Sequence, residues 1–244
     1  MTLDLAFLKT QLPTLEIDVF DTIDSTNEFL KKLPQKNTLH LCVAEQQTAG
    51  KGRLGKHWFS PSNCNLYFSL RWPNLYPKKS LDGLSLVIAI SLTKTLQRLF
   101  PLPDLKIKWP NDLYYQDKKL AGILIEVSNE PQALIIGIGL NVNMKESMWT
   151  SLRLILQRDI ERNTLLSELI PPLLIEIEQF IHTGFLPYLS VWPTWDYLTG
   201  KKINVKQNET LIQGVAQGIN ERGHLVIKDD LGKKHTCYSG EILL

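Results

Sequence analysis

Hydrophobic and polar positions change period several times along this chain, and each change marks an element. Residues 3–12 repeat at helical spacing and stop at Pro13, which predicts a short helix. Residues 15–20 alternate as a strand. Ser25 with Glu28 three residues on reads as a capping box that opens the next helix. Strands are predicted over 39–45 and, with alternating character, over 65–72. Between 81 and 100, Leu84, Val87, Ile88, Leu92, Leu96 and Leu99 recur at helical spacing. Residues 105–109 form a short strand halted at Pro110, and 113–115 with 120–127 read as a hairpin turning at Gln116-Asp117. Residues 133–142 are a further strand, whose Gly137 and Gly139 imply close approach of another backbone or a ligand. The run 164–182 is helical in pattern but contains Pro171-Pro172, so two helices or a sharp kink are expected.

After Trp195 and Gly200 the pattern shortens. Strands are predicted over 202–206, 211–217, 224–228 and 234–238, ending in 241–244, which is the signature of a small all-β module of barrel type. The region before it mixes strands and hairpins with helices that would cover one face. The fold class is therefore α+β rather than doubly wound, with domains expected at 1–198 and 199–244.

Composition narrows the function classes. A chain of 244 residues that is 43% hydrophobic can bury a sizeable core. Its formal charge of +2 gives no broad polyanion-binding surface, so basic residues must act locally. Cys42, Cys64 and Cys237 each fall in a strand-like run without metal-ligand spacing, and core filling is their expected role. No signal peptide and no membrane-spanning apolar run are present, so a soluble cytoplasmic protein is expected.

Against that near-neutral background one segment is unusual. Residues 46–58, Gln-Gln-Thr-Ala-Gly-Lys-Gly-Arg-Leu-Gly-Lys-His-Trp, alternate glycine with basic side chains. Gly50 and Gly52 let backbone amides approach an anion, and Lys51, Arg53 and Lys56 add charge where phosphate oxygens would sit. The run matches neither Walker A nor Gly-x-Gly-x-x-Gly, and taken alone it is equally a basic surface loop.

Three further segments carry candidate chemistry, each with a plain structural alternative. In Lys106-Ile107-Lys108-Trp109-Pro110-Asn111-Asp112, strand alternation puts both lysines on the face opposite Ile107 and Trp109, and Lys108 can project into a cleft at the sheet's rim. Asn111-Asp112 is also ordinary turn chemistry. Asp24-Ser25-Thr26-Asn27 caps a helix, and a helix N-terminus also presents free amides to a small molecule. Residues 137–143 end an apolar strand in paired asparagines, which fits a tight turn as well as a ligand.

In this order, Asp24-Ser25-Thr26-Asn27, the run from Gln47 to Trp58, Lys108-Trp109-Pro110-Asn111-Asp112, residues 119–124 (Lys-Leu-Ala-Gly-Ile-Leu) and Gly139-Leu140-Asn141 resemble the signature set of biotin–protein ligases. The resemblance runs from about residue 20 to the C-terminus and includes Gly240-Glu241-Ile242. It implies a class II synthetase-like catalytic domain followed by an SH3-like barrel. It also implies two steps: biotin and ATP give biotinyl-5′-AMP and pyrophosphate, then a lysine of a biotin carboxyl carrier protein attacks the mixed anhydride and releases AMP.

By the same resemblance Lys108 and Arg53 are catalytic. Ser25, Thr26, Asn27, Gln47, Lys51, Gly52, Arg53 and Lys108 hold biotin, and Lys51, Arg53, Lys108, Asn111, Asn141 and Trp149 hold ATP. Trp149 is either a stacking partner for adenine or a hydrophobic anchor for the next helix. Mg²⁺ is expected with the nucleotide, with no protein ligand assigned. The loop 50–58 is expected to order over the adenylate and keep water out. Relatives dimerise through a sheet edge when the adenylate is bound, so a homodimer is one expectation.

This sequence departs from the family pattern at Lys51, where arginine is usual, which keeps the charge but loses the planar fork. Only the helix at 3–12 precedes the catalytic region, so a ligase without DNA binding or repressor function is expected, and no nucleotide contact is expected from the longer basic tail of some relatives. The competing readings are a lipoate or octanoate ligase or transferase of the same architecture, and a nucleic-acid-binding module.

Overall fold

The computed structural model describes residues 2–34, 37–73, 80–129, 132–146, 148–207 and 209–243. In chain order the elements are α1 (Leu5–Gln11), β1 (Glu16–Ile23), α2 (Thr26–Lys32), β2 (His40–Gln47), β3 (Leu66–Pro73), α3 (Leu84–Leu99), β4 (Leu105–Lys108), β5 (Asp112–Tyr115), β6 (Lys118–Asn129), β7 (Gln132–Leu140), α4 (Leu152–Leu156), α5 (Arg162–Thr183) and β8–β12 (Lys202–Gln207, Thr210–Ile219, Leu225–Lys228, Lys234–Cys237, Glu241–Leu243). They divide into two compact units, residues 1–76 with 117–171 and residues 77–116 with 172–244.

In the first unit the strand order is β1-β2-β3-β7-β6. β1 and β2 run parallel and the other neighbours antiparallel, so the sheet is mixed. β2 and β3 are buried on both faces, because α2 covers one side. The alternation expected for β3 is therefore absent from its burial: Leu66, Phe68 and Leu70 face one layer while Tyr67, Ser69 and Arg71 are equally enclosed. On β2, Glu45 is buried and accepts Arg162 of α5 through both guanidinium Nη atoms, at 2.5 and 3.0 Å. Arg162 also donates to the Asn65 carbonyl, and the Leu3 amide donates to Glu45. The two charges meet each other and take further hydrogen bonds from named backbone groups, which is the condition for tolerating a buried pair.

In the second unit α3 packs on the β4–β5 hairpin. It starts three residues later than its apolar pattern suggests, because Gly83 before it takes a left-handed φ of 85°. The C-terminal strands form one antiparallel sheet, β11-β10-β9-β8-β12, the small all-β module expected.

Two further expectations are corrected. Pro171 and Pro172 lie inside one helix, α5, so the two-helix alternative fails. Their missing amides forfeit the bonds to the carbonyls of Ser167 and Glu168, and their rings crowd those same carbonyls. The apolar stripe Leu165, Leu166, Leu169, Ile170, Leu173, Ile177 and Phe180 is buried on either side of them and holds the helical course. The boundary between the compact units falls between the two prolines. Cys64 lies in a turn, not a strand, and donates to the Pro61 carbonyl, because the turn at 62–64 is needed to start β3. No helix among the described residues is long and apolar enough to cross a membrane.

Candidate functional site

A polar cradle sits where α2 begins over the centre of the first unit's sheet. Ser25 caps α2 and its hydroxyl accepts the Glu28 amide at 3.5 Å. The other half of the expected capping box is missing. The Ser25 amide goes to the Asp24 carboxylate instead, at 2.6 Å, and the Glu28 carboxylate turns to two ammonium groups, Lys31 and Lys51. Two full charges outcompete one backbone donor.

Thr26 and Asn27 point into the sheet and are buried. The Thr26 amide and hydroxyl both reach Gln47 Oε1, at 3.0 and 3.2 Å, and the hydroxyl also bonds Ser69 at 2.7 Å. Ser69 donates to Asn27 Oδ1 at 2.5 Å, and Asn27 Nδ2 donates to Glu126 at 2.8 Å. Thr26, Asn27 and Gln47 are thus brought together, on partners far along the chain: Ser69 on β3 and Glu126 on β6. Neither partner stood out in the sequence. Their only signal is a polar side chain inside an otherwise apolar strand run.

The glycines of β7 make room for this cradle. A Cβ on Gly137 would overlap the Asn27 carboxamide, and one on Gly139 would overlap the Trp58 indole. Gly139 and Gly122 face each other across β7 and β6, and a Cβ on Gly122 would come within 2.8 Å of the same indole. The close approach expected at these glycines is therefore by side chains. Trp58 lies on a paired glycine floor, with Lys119 Nζ 5.1 Å from its ring centroid. Its Nε1 is buried and has no hydrogen-bond partner among the described residues, so shape rather than hydrogen bonding holds the ring.

The loop between Gln47 and Trp58 is a small hairpin. Lys51 bridges His57, the Gly52 amide donates to the Lys56 carbonyl at 2.7 Å, and the Trp58 amide donates to Gly50 at 2.9 Å. Leu54 turns the tip at a φ of 55° and is exposed. Gln47 fastens the loop to the cradle through Ser60, which in turn donates to the Trp58 carbonyl. A side chain on Gly50 would press within 2.8 Å of both Trp58 and Ser60, so glycine is needed there for packing. Lys51 and Arg53 lie on this hairpin, with Lys51 Nζ 2.7 Å from Glu28.

Asn141 is buried, and its Nδ2 is spent on the carbonyls of Thr150 and Lys119, at 3.0 and 3.4 Å. It ties the end of β7 to the segment carrying Trp149. Asn143 makes a reciprocal pair with the backbone of Ile160, at 2.9 Å each way. The paired asparagines are therefore braces. Trp149 stacks on Phe59, with centroids 5.5 Å apart and planes at 21°. Phe59 is 44% exposed and was not singled out in the sequence, although it directly follows Trp58.

Lys108 and Asn111 belong to the second unit. Leu105 and Ile107 are buried while Lys106 and Lys108 are half-buried, the alternation read from the sequence. The open side of β4 is covered by residues 195–197, through backbone bonds between Ile107 and Trp195 and Tyr197. Lys108 Nζ lies 5.0 Å from the Tyr114 ring centroid. Burial, then the Asp112 charge, pushes the Tyr114 phenol up to about 12, so it stays neutral, and its oxygen accepts from that ammonium at 3.5 Å. Trp109 Nε1 donates to the Gly223 carbonyl at 3.0 Å, and Asp82 pairs with Arg222 at 2.6 Å and His224 at 3.1 Å. The turn between β9 and β10 thus grips the segment that carries Lys108.

No cysteine is placed for nucleophilic work. Cys42 and Cys237 are buried, and burial pushes the Cys64 thiol up to about 11. Among the described residues no group of three His, Cys, Asp or Glu side chains could hold a metal ion.

Comparison with known proteins places this geometry. The biotin/lipoate A/B protein ligase family model matches residues 19–143, and the biotin protein ligase C-terminal domain matches residues 199–244. The bifunctional ligase/repressor BirA of Escherichia coli is 36% identical over 244 residues, covering 96% of this chain and 75% of that protein. The biotin–[acetyl-CoA-carboxylase] ligase of Paracoccus denitrificans is 28% identical, over 86% of this chain and 93% of that one. Among solved structures, the biotin protein ligase of Aquifex aeolicus in complex with biotin and ATP superposes with a TM-score of 0.83 at 31% identity, covering 93% of this chain and 97% of that one. The ordered motifs, the cradle they build, both domain matches and the extent of identity make this chain a member of the biotin protein ligase family.

Proposed function

We propose that the protein forms biotinyl-5′-AMP from biotin and ATP and then transfers biotin to a lysine of a biotin carboxyl carrier protein, in the cytoplasm. One observation carries the reading. The Gln47, Thr26, Ser69 and Asn27 side chains form a continuous hydrogen-bonded chain beside Gly137, directly fastened to a basic hairpin. A ureido ring needs a few fixed donors and acceptors in an enclosed site, and an adenylate needs cations beside it.

In the first step a biotin carboxylate oxygen attacks the α-phosphorus of ATP, an O–P bond forms and pyrophosphate leaves. Both reactants are anionic, so Lys108 is assigned to bridge carboxylate and α-phosphate, with Arg53 and Lys51 offsetting phosphate charge. In the second step the carrier lysine amine attacks the acyl carbon and AMP leaves. Ser25, Thr26, Asn27, Gln47 and the Gly52 backbone are assigned to biotin. Asn111 and Trp149 are assigned to the nucleotide, and Asn141 serves it by holding the Trp149 segment in place. The described residues offer no metal cluster, so Mg²⁺ is read as a companion of the ATP phosphates, and no step is assigned to it.

The hairpin at 50–58 is read as a cover that excludes water from the mixed anhydride. Protease cleavage within it should fall when biotinyl-AMP is bound, and equal cleavage with and without the adenylate would refute the cover. Residues 1–198 are read as the catalytic domain and 199–244 as the module whose β9–β10 turn steadies Trp109. The lipoate and octanoate readings are not favoured, and the Cys64 thiol is unsuited to acyl transfer.

The decisive experiment is biotin-dependent exchange of labelled pyrophosphate into ATP, with lipoate and octanoate as controls. Exchange is expected with biotin alone and should be lost in Lys108→Ala. Exchange with lipoate instead would replace the substrate, and exchange with none of the acids would overturn the reading.

A further inference from the structure

The hairpin lysine is not waiting in solvent. Lys51 Nζ lies 2.7 Å from Glu28 Oε1, and Lys31 Nζ lies 2.9 Å from the same oxygen. Lys31 also bonds Glu126 at 2.6 Å, and Glu126 bonds Asn27. The four charges are not equally fixed. The Glu28, Lys31 and Glu126 side chains are only 23–26% exposed and sit on α2 and β6, whereas Lys51 is 49% exposed on a hairpin between two glycines. Lys51 can leave without orphaning anything, because Glu28 keeps Lys31 and Lys31 keeps Glu126. The ordinary penalty for abandoning a partly buried carboxylate is therefore absent.

We propose that Glu28 is a positioning residue that parks Lys51 while the nucleotide site is empty and competes with the adenylate phosphate for it when the site is filled. This rests on the reading of Lys51 as a phosphate-side cation. The competition gives lysine at this position a consequence. An ammonium is a point charge that satisfies one anion at close range, whereas an arginine fork can hold a carboxylate and a phosphate together. In this chain the cation must choose, so Glu28 lowers the hold on the adenylate and hastens its release.

The test is a binding cycle using a non-hydrolysable biotinyl-adenylate analogue that keeps the phosphodiester charge. Glu28→Gln is nearly isosteric and leaves the Lys31–Glu126 pair intact. It should tighten the analogue about two- to fivefold, the scale of a partly exposed ion pair, mostly through slower dissociation. Affinity for biotin alone, which has no phosphate, should not change, and a merely structural role for Glu28 would move both. In a Lys51→Arg background the same substitution should have no effect on the analogue. Unchanged or weaker binding in Glu28→Gln, or equal tightening in the arginine background, would overturn the proposal. Lys51→Met separates the layers. If it leaves analogue affinity intact, the phosphate-side reading of Lys51 fails. If it weakens binding while Glu28→Gln does nothing, only the parking role fails.

Discussion

The cradle beneath α2 and the hairpin beside it do related work with opposite construction. In the cradle Thr26, Asn27 and Ser69 are buried, and each polar side-chain atom named above has a fixed partner. In the hairpin Lys51, Lys56, His57 and Phe59 are exposed, and Lys51 is held by one carboxylate that has another partner to fall back on. A rigid neutral ring is best recognised by groups already in place, since reorganisation at binding costs affinity. A charged intermediate that must be made, sheltered and released suits cations that can change partners. On the proposed function, buried hydrogen bonds would serve recognition and exposed charges would serve turnover.

The largest way to break this contrast is from below. Arg162→Met would strand the Glu45 carboxylate in the core. A loss of about 3–5 kcal/mol in unfolding free energy by denaturant titration is expected, since one buried charge then lacks its partner. Next comes the floor. Gly137→Ala places a methyl against the Asn27 carboxamide and should cost about 10²-fold in kcat/KM for biotin through displacement of a positioned group. Urea midpoints measured alongside would show whether folding is spared.

Thr26→Val keeps shape but removes the hydroxyl shared by Ser69 and Gln47. Gln47 keeps the Thr26 amide and Ser69 keeps Asn27, so losing the hydroxyl's own bonds should cost about 0.5–1.5 kcal/mol, read as weakened biotin binding by titration calorimetry. On the hairpin side, Phe59→Ala removes the ring stacked on Trp149. A rise in the KM for ATP equivalent to about 0.5–1.5 kcal/mol is expected, with the biotin KM unchanged.

The smallest effect is acid sensitivity. Hydrogen bonds from Lys51, then Lys31, hold the Glu28 carboxylate down to about 2 against an ordinary value of 4.5. A depressed carboxylate stabilises the fold fully above its unfolded value, and that contribution fades as pH falls from 4.5 toward 2. The stability difference between the wild type and Glu28→Gln should shrink across that window and stay constant above it. A difference that changed between pH 6 and 8 would contradict the assignment.

Much of this could be read in advance where the signal is local. The α2 start at Ser25, the alternation of Lys106 and Lys108 against Ile107, the turn at Gln116-Asp117 with both φ angles positive, and the C-terminal β pattern all depend on neighbours a few residues away. Local rules failed where charged or distant partners competed. Glu28 left its capping position for two ammonium groups, and α5 ran through two prolines because its apolar face is buried on both sides of them.

The sequence by itself determined the family, because five ordered motifs with fixed chemistry survive as contiguous strings. It also determined the α+β class, because period and turn chemistry are short-range properties. Only the tertiary structure decided which groups complete those motifs. Ser69 meets Asn27 across 42 positions and Glu126 meets it across 99. Trp58 finds its floor in a glycine pair formed by strand register between β6 and β7. Lys51 is held by the Glu28 carboxylate, which the sequence pattern assigned to the helix cap instead. Such pairings depend on which faces the packed sheet and helix bring within a few ångströms, and residue spacing along a chain does not encode that distance.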